Sequence, residues 1–361
     1  MVKRVYNFNA GPSALPLAVL ERAQAELVNF QNTGMSVMEL SHRSKEYDAV
    51  HTKAKELLRK LMNIPGTHDI LFLQGGASLQ FSMVPMNLLH EGKVANYVLT
   101  GVWSEKALKE AKKIGEVHVA ASSKEANYTH IPALKHIQLS EQTAYLHITS
   151  NNTIFGTQWH EFPDLPVDLV ADMSSDILSR EIDVKKFALI YAGAQKNLGP
   201  SGVTVVIIRK DLLENIPDHL PTMLNYHTYS SSNSLYNTPP TFAIYMLSLV
   251  LEWVDEQGGV SIIEKRNKEK ADVLYRCIDE SKGFYLPHAE KSSRSLMNVT
   301  FTLPNDELTK QFLAEAKERG FVGLVGHRSV GGCRASIYNA VSLEACEALA
   351  DFMREFQQKF L

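Results

Sequence analysis

The sequence has few cysteines and almost no excess of either charge. Three cysteines occur among 361 residues, and the odd count, without a Cys-x-x-Cys pair, argues against a disulfide framework. Lys and Arg total 37 while Asp and Glu total 40, which gives a formal net charge of −3. This balance gives no reason to expect a nucleic acid or an anionic membrane as a partner.

Long apolar runs are also missing. The most apolar stretch, residues 242–253, is too short to cross a bilayer and contains Glu252. The first nine residues are interrupted by polar side chains and contain no apolar core of a signal peptide. Together with the scarce cysteines, these features predict a cytoplasmic protein.

Several motifs of large enzyme classes are absent. The chain has no G-x-x-x-x-G-K-[ST] phosphate loop, no H-E-x-x-H zinc motif and no G-x-S-x-G nucleophile elbow. No G-x-G-x-x-G follows a predicted strand, which weakens a dinucleotide-binding interpretation. The thirteen histidines are scattered without ligand spacing, so we expect no metal site.

Short apolar runs alternate with helical patterns along the first two thirds of the chain. Such continuous runs are typical of strands covered on both faces, so the pattern predicts an α/β fold with a large, mostly parallel sheet. Strands are predicted at 70–74, 94–99, 117–121, 144–149, 169–172, 187–192 and 203–208, and helices at 77–89, 103–114 and 239–257.

The order of the elements changes near residue 256, where Gly258-Gly259 follows a long predicted helix. We expect a large domain over residues 15–257 and a smaller α+β domain over 258–361, with residues 1–14 packing against the smaller one. The helices of the smaller domain are predicted at 260–279, 306–319 and 342–359, and its strands at 296–303, 320–325 and 334–338.

Lys196 is the most informative single residue, because it lies at the tip of the turn that ends the apolar strand 187–192, an exposed turn flanked by glycines. A lysine at the carboxyl edge of a parallel sheet lies where open α/β sheets bind ligands. Desolvation there lowers the amine pKa, as a Schiff-base lysine requires. A solvated lysine on a surface loop is the alternative.

Asp172 ends another predicted strand, 24 residues before Lys196. A carboxylate at this edge could pair with a pyridine ring nitrogen and keep it protonated, which makes the ring an electron sink. The alternative is an aspartate that only caps a turn or a helix. A strand-end Asp and a strand-end Lys can converge on one ring.

Two further strand ends carry candidate ligand groups. Gly75-Gly76-Ala77-Ser78 opens a predicted helix, where backbone N–H groups can hold a phosphate. Trp103, at the next strand–helix turn, could stack on a flat cofactor. The glycine turn also occurs in proteins without a ligand, and the indole is equally compatible with core packing.

Seven segments, in order from residue 7 to about 345, resemble the phosphoserine aminotransferase family of fold-type I pyridoxal-phosphate enzymes. Ser41-His42-Arg43-Ser44 and Gly326-His327-Arg328-Ser329-Val330-Gly331-Gly332 are the more specific of them. The other segments are Phe8–Pro16, Gly75–Ser78, Trp103, Asp172–Ser175 and Gly193–Asn197.

The resemblance implies pyridoxal 5′-phosphate as cofactor and a homodimer with shared active sites. It implies reversible amino transfer between glutamate and 3-phosphohydroxypyruvate, in serine biosynthesis, with a further role in pyridoxine synthesis. Lys196 and Asp172 would be catalytic. The implied cofactor residues are Gly76, Ala77, Ser78, Trp103, Thr153, Asp172, Gln195, Lys196 and, from the partner, Asn237 and Thr238. The implied substrate residues are Arg334 for the α-carboxylate and His42, Arg43, His327 and Arg328 for the distal anion.

Three alternatives remain at this point. One is another fold-type I enzyme, such as an alanine–glyoxylate transaminase. A second is a cysteine desulfurase that uses Cys333, which lies in a glycine-rich segment. The third is a pyridoxal-phosphate-binding module without catalysis, which the presence of Lys196 argues against.

Overall fold

The structure is a computed structural model and describes residues 4–360. Its centre is a seven-stranded sheet in the order β2-β10-β9-β8-β5-β3-β4. Only β10 runs antiparallel to its neighbours. The strands are β2 His68–Leu73, β3 Val94–Leu99, β4 Glu116–Ser122, β5 Thr143–Thr149, β8 Leu169–Asp172, β9 Leu189–Gly193 and β10 Thr204–Arg209. The predicted α/β fold with a mostly parallel sheet is confirmed.

The central strands are apolar on both faces because helices cover both faces. Successive residues of a strand point to opposite sides of the sheet, and Val170 and Ala171 accordingly belong to two different hydrophobic clusters. Burial of both faces explains why these segments read as continuous apolar runs and not as alternating ones. It also leaves the strand ends as the places where polar side chains can gather.

Ten α-helices occur in the described chain. They are α1 Leu17–Glu26, α2 Lys45–Leu61, α3 Gly76–Leu88, α4 Val102–Ala111, α5 Lys210–Leu213, α6 Tyr226–Ser231, α7 Thr241–Glu256, α8 Val260–Glu280, α9 Asp306–Glu318 and α10 Leu343–Gln358. The helices α1 and α2 were not predicted. Yet α2 begins at a Ser44 side chain that accepts from the Tyr47 N–H at 3.2 Å, and it buries Tyr47, Val50, Ala54, Leu58 and Leu61 at helical spacing.

The C-terminal elements enclose a hydrophobic cluster of their own. Strands β11 Leu286–Pro287, β12 Asn298–Thr302 and β14 Cys333–Ser336 form an antiparallel sheet in the order β11-β12-β14. Strand β1, Tyr6–Asn7, pairs in parallel with β13, Phe321–Val322, and Phe8 is buried in the same cluster. These contacts support the proposed domains 15–257 and 258–361 and the proposed packing of the N-terminus against the second.

A short antiparallel pair completes the strands, with β6 at Asn151–Asn152 and β7 at Thr157–Gln158. It follows β5 directly and turns the chain back across the carboxyl edge of the large sheet. None of the helices within residues 4–360 combines the length and the hydropathy that crossing a membrane requires.

Candidate active site

A cavity of about 390 Å³ opens at the carboxyl edge of the sheet, where β2, β3, β5, β8 and β9 end. This is the edge at which open α/β sheets bind their ligands. Ten of the predicted site residues line it: Gly76, Ala77, Ser78, Trp103, Thr153, Asp172, Gln195, Lys196, His327 and Arg334. A second cavity of about the same volume lies at the opposite edge, near Leu88, Lys93 and Asn215, and contains none of them.

Lys196 lies on the turn that follows β9, but the prediction that this turn is exposed is wrong. The residue is half-buried, because the N-terminal segment folds over the turn. The Ser13 hydroxyl donates to the Lys196 carbonyl at 2.9 Å, and Gly11 lies beside the lysine side chain. Burial lowers the pKa of the Lys196 amine to about 8, and Asp172 opposes this effect.

Asp172 ends β8 between Thr149 of β5 and Tyr191 of β9 in the sheet register. Its Oδ1 accepts from the backbone N–H of Ser174 at 2.9 Å and from the Ser174 hydroxyl at 2.6 Å. The hydroxyl of Ser174 also accepts from the Gly193 N–H at 3.1 Å, which connects the strand ends that carry Asp172 and Lys196. Oδ2 accepts no hydrogen bond from the described residues, so it is available to a ligand.

The pKa of the Asp172 carboxyl is raised, and burial is the main cause. The two Ser174 donors and Lys196 act in the opposite direction and lower this pKa. A cationic N–H at Oδ2 would compensate the desolvation of the carboxylate. The protonated nitrogen of a pyridine ring is such a group.

Helix α3 presents its N-terminus to the cavity. Gly75 and Gly76 have φ values of +89° and +63°, which favour glycine and turn the chain sharply from β2 into the helix. The first-turn N–H groups of Gly76, Ala77 and Ser78 have no intrahelical acceptors, and the first turn contains no acidic side chain. Unpaired amides at the positive end of a helix dipole suit a phosphate group.

Thr153 fixes two side chains of the cavity wall. Its hydroxyl accepts from the indole Nε1 of Trp103 at 3.1 Å, and its carbonyl accepts from Nη1 of Arg334 at 2.8 Å. The Arg334 Nε is buried and lacks a hydrogen-bond partner in the described structure. The guanidinium therefore keeps N–H donors for an anion while its orientation is set by the protein.

Sequence reasoning missed some residues of the cavity. Thr149 lines it with a buried hydroxyl that has no partner within residues 4–360. Ser174 orients Asp172, and Ala10 and Gly11 of the N-terminal segment close one side. The strand-end position of Thr149, directly before Ser150-Asn151-Asn152, was a usable signal for that residue.

Five predicted residues lie outside the cavity lining of this chain: His42, Arg43, Asn237, Thr238 and Arg328. His42 and Thr238 are nevertheless neighbours, with 3.4 Å between Nδ1 and Oγ1, although 196 residues separate them in the chain. Arg43, Asn237 and Arg328 are exposed. The predicted roles of these five residues stay predictions.

The other candidate chemistries lack support from the geometry. Cys333 is 1% exposed and burial raises the pKa of its thiol to about 12, which argues against a nucleophilic role in desulfuration. No cluster of three or more His, Cys, Asp or Glu residues in the described part of the chain is arranged to hold a metal ion.

Comparison with known proteins identifies the family. Residues 5–349 match the class-V aminotransferase model. A phosphoserine aminotransferase from Geobacillus kaustophilus is 79% identical over 99% of this chain and 100% of its own length. A solved phosphoserine aminotransferase from Bacillus circulans subsp. alkalophilus is 58% identical, has a TM-score of 0.98 and covers 100% of this chain. A solved phosphoserine aminotransferase from Trichomonas vaginalis is 42% identical, has a TM-score of 0.93 and covers 97% of this chain. Both matches extend over the whole length of the solved chain.

The fold, the lysine–aspartate pair and the family match together define a pyridoxal-phosphate-dependent enzyme of the class-V aminotransferase family. Within that class the chain belongs to the phosphoserine aminotransferases. The resemblance seen in the sequence is confirmed, and the alternative of an alanine–glyoxylate transaminase is not favoured. The cofactor is pyridoxal 5′-phosphate, which the Trichomonas vaginalis enzyme is described as binding.

Proposed function

We propose that the chain transfers an amino group reversibly between L-glutamate and 3-phosphohydroxypyruvate, giving 2-oxoglutarate and O-phospho-L-serine. The observation that carries this proposal is the convergence of Lys196, Asp172 and Arg334 with the N-terminus of α3 in one cavity. The names of the full-length relatives support phosphoserine as one of the substrates and, with it, a role in L-serine biosynthesis. We extend the proposal to the phosphorylated hydroxy-oxobutanoate of pyridoxine synthesis, which also carries a phosphate.

The residues of the cavity fit the cofactor group by group. Oδ2 of Asp172 would accept a hydrogen bond from the protonated pyridine nitrogen, and Trp103 would stack on the ring. The amides of Gly76, Ala77 and Ser78 would bind its phosphate, and Thr153 and Gln195 would complete the shell. When bound to Lys196, the cofactor supplies an electron sink and accepts the amino group of the donor.

Lys196 would carry the cofactor and afterwards move a proton at the substrate α-carbon. Only the neutral amine can take up a proton, so an amine whose pKa is about 8 is better suited than an ordinary lysine. Asp172 would hold the ring nitrogen protonated throughout. Its Oδ1 is fixed by the two Ser174 donors, which keeps Oδ2 in place during turnover.

Both substrates carry two anionic groups, one of them on the α-carbon. Arg334 would bind the α-carboxylate, because its guanidinium is already oriented by the Thr153 carbonyl. His327, at the cavity, and Arg328, His42 and Arg43 would bind the distal carboxylate or phosphate. Arginine suits this position because its planar fork can bind either group through two hydrogen bonds.

We further propose a homodimer in which His42, Arg43, Asn237 and Thr238 act in the partner's site. The 3.4 Å approach of His42 to Thr238 supports this, since it gathers residues for the distal anion and for the cofactor phosphate in one patch outside the chain's own cavity. A cytoplasmic location is supported by the three buried free thiols.

A half-reaction tests the proposed function. Purified holoenzyme is mixed with glutamate, and the visible absorbance of the lysine-bound cofactor is followed. We expect glutamate to remove this band and 3-phosphohydroxypyruvate to restore it, with O-phosphoserine appearing in equal amount. Restoration by glyoxylate, but not by the phosphorylated keto acid, would contradict the proposal.

A further inference from the structure

Lys106 lies next to a residue of the active-site wall, Trp103, although no motif singled it out. It is one helical turn after Trp103 on α4, and its Nζ lies 4.5 Å from the centroid of the Trp103 ring. This cation–π contact holds the flexible side chain over the indole. Since Trp103 lines the cavity, the ammonium group of Lys106 lies next to the cavity wall.

The segment from His327 to Gly331 borders the same cavity, which His327 lines. It is folded into a turn in which the N–H groups of Val330 and Gly331 both donate to the His327 carbonyl, at 2.9 and 2.8 Å. Val330 packs against the same hydrophobic cluster as Trp103. Lys106 is close enough to His327 to help lower the pKa of its imidazole, after burial, Arg334 and Arg328.

The charges around this wall are not balanced by carboxylates. Lys106, His327, Arg328 and Arg334 form no ion pair within the described residues. The two acidic residues of the helix have other partners: Glu105 accepts from Lys124 and from Tyr128, each at 2.7 Å, and Glu110, four residues after Lys106, accepts from Lys113 at 2.8 Å. Because Arg334 is assigned to the α-carboxylate, Lys106, His327 and Arg328 remain without a counter-ion and form a site for an anion that carries more than one charge.

We propose that Lys106 is a specificity-determining residue that favours the phosphate over the carboxylate at the distal position of the substrate. This inference rests on the proposed function and adds a residue to it. A phosphate carries about −1.5 to −2 charges near pH 7, while the distal carboxylate of glutamate carries one. An additional ammonium group therefore attracts the phosphorylated substrate more strongly.

Lys106→Gln tests the proposal, because glutamine keeps most of the stem and removes the charge. Lys109→Gln is the matched control, since Lys109 is exposed on the same helix and makes no contact with Trp103. The KM values of O-phosphoserine and glutamate are measured separately as amino donors. Binding of inorganic phosphate is measured by calorimetry on the holoenzyme. In the holoenzyme the cofactor's phosphate occupies the N-terminus of α3, so the added phosphate cannot bind there.

In Lys106→Gln we expect about a tenfold increase in the KM of O-phosphoserine, about a threefold increase or less for glutamate, and several-fold weaker binding of inorganic phosphate. Lys106→Arg should restore most of the discrimination, and Lys109→Gln should match the wild type. Equal changes in the KM of both donors, or no change in either, would overturn the proposed role of Lys106 but not the proposed function. A wild-type holoenzyme that does not react with O-phosphoserine would overturn the proposed function and this inference with it.

Discussion

The backbone N–H of Asn339 donates to the side-chain oxygen of Asn197 at 3.0 Å, and Asn197 directly follows Lys196 in the chain. Asn197 Nδ2 donates in turn to the carbonyl of Ile177 at 3.0 Å, while Asn339 Nδ2 donates to the carbonyl of Leu178 at 2.9 Å. The segment after β14 is thus joined to the turn that presents Lys196. The position of this lysine depends on residues more than 140 positions away.

We therefore expect Asn197→Ala to destabilise the protein. The substitution leaves the Asn339 N–H and the Ile177 carbonyl buried without these partners, at a cost of about 1–3 kcal/mol for each. Urea unfolding of the holoenzyme measures the loss, with the exposed Asn215→Ala as control. A free energy of unfolding equal to that of the wild type would show that these bonds do not hold the turn.

Asp172→Asn should lower turnover by several orders of magnitude while weakening cofactor binding only moderately. The amide keeps the shape of the side chain and can keep the Ser174 contacts, but it lacks the charge that holds the ring nitrogen protonated. Steady-state kcat and cofactor titration separate the two effects. Nearly normal turnover would assign the carboxylate a structural role instead.

Capture of pyridoxal phosphate by the cofactor-free protein should depend on pH. Lys196 reacts only as the neutral amine, and its pKa is lowered to about 8, so the capture rate should rise as the pH increases through 8. Asp172 raises this pKa, and its replacement by Asn should therefore move the midpoint to lower pH. Stopped-flow absorbance gives the profile. A midpoint near 10, as for an ordinary lysine, would contradict the account.

We expect Arg43→Ala and Arg328→Ala each to weaken binding of the phosphorylated substrate. Loss of a charge-assisted hydrogen bond costs about 1.5–3 kcal/mol, or about ten- to a hundredfold in kcat/KM. Alanine, which has no distal anion, serves as the comparison donor, and the kcat/KM for alanine should fall much less. Equal losses with O-phosphoserine and alanine would assign these arginines to folding or cofactor binding.

Mixing the weakly active Arg43→Ala variant with the inactive Lys196→Ala variant tests whether the sites are shared. In an Arg43→Ala and Lys196→Ala mixture, a mixed dimer has one site with both residues intact if Arg43 acts in the partner's site. Random pairing should then restore about one quarter of wild-type activity, because half of the dimers are mixed and each has one intact site. Mixtures that are no more active than the Arg43→Ala component alone would contradict shared sites.

The sequence was most informative where one physical requirement dominates. Strands β3 and β8 match their predicted bounds, since apolar runs in a doubly covered sheet are unambiguous. The cavity residues at strand ends could be predicted too, because the carboxyl ends of the predicted parallel strands lie at one edge of the sheet. Helix α2 was missed although its apolar spacing was present. The burial of Lys196 could not be predicted, because it depends on Ser13 and Gly11, which lie more than 180 residues earlier in the chain.

The central claim is that Lys196 carries the cofactor, and borohydride trapping tests it most directly. Reduction of the holoenzyme fixes the cofactor to its lysine, and peptide mass mapping then locates the label among the chain's lysines. The account predicts a pyridoxyl group on the peptide that contains Lys196, and no label on that peptide in Lys196→Ala. A label on any other lysine of the wild-type protein would contradict it.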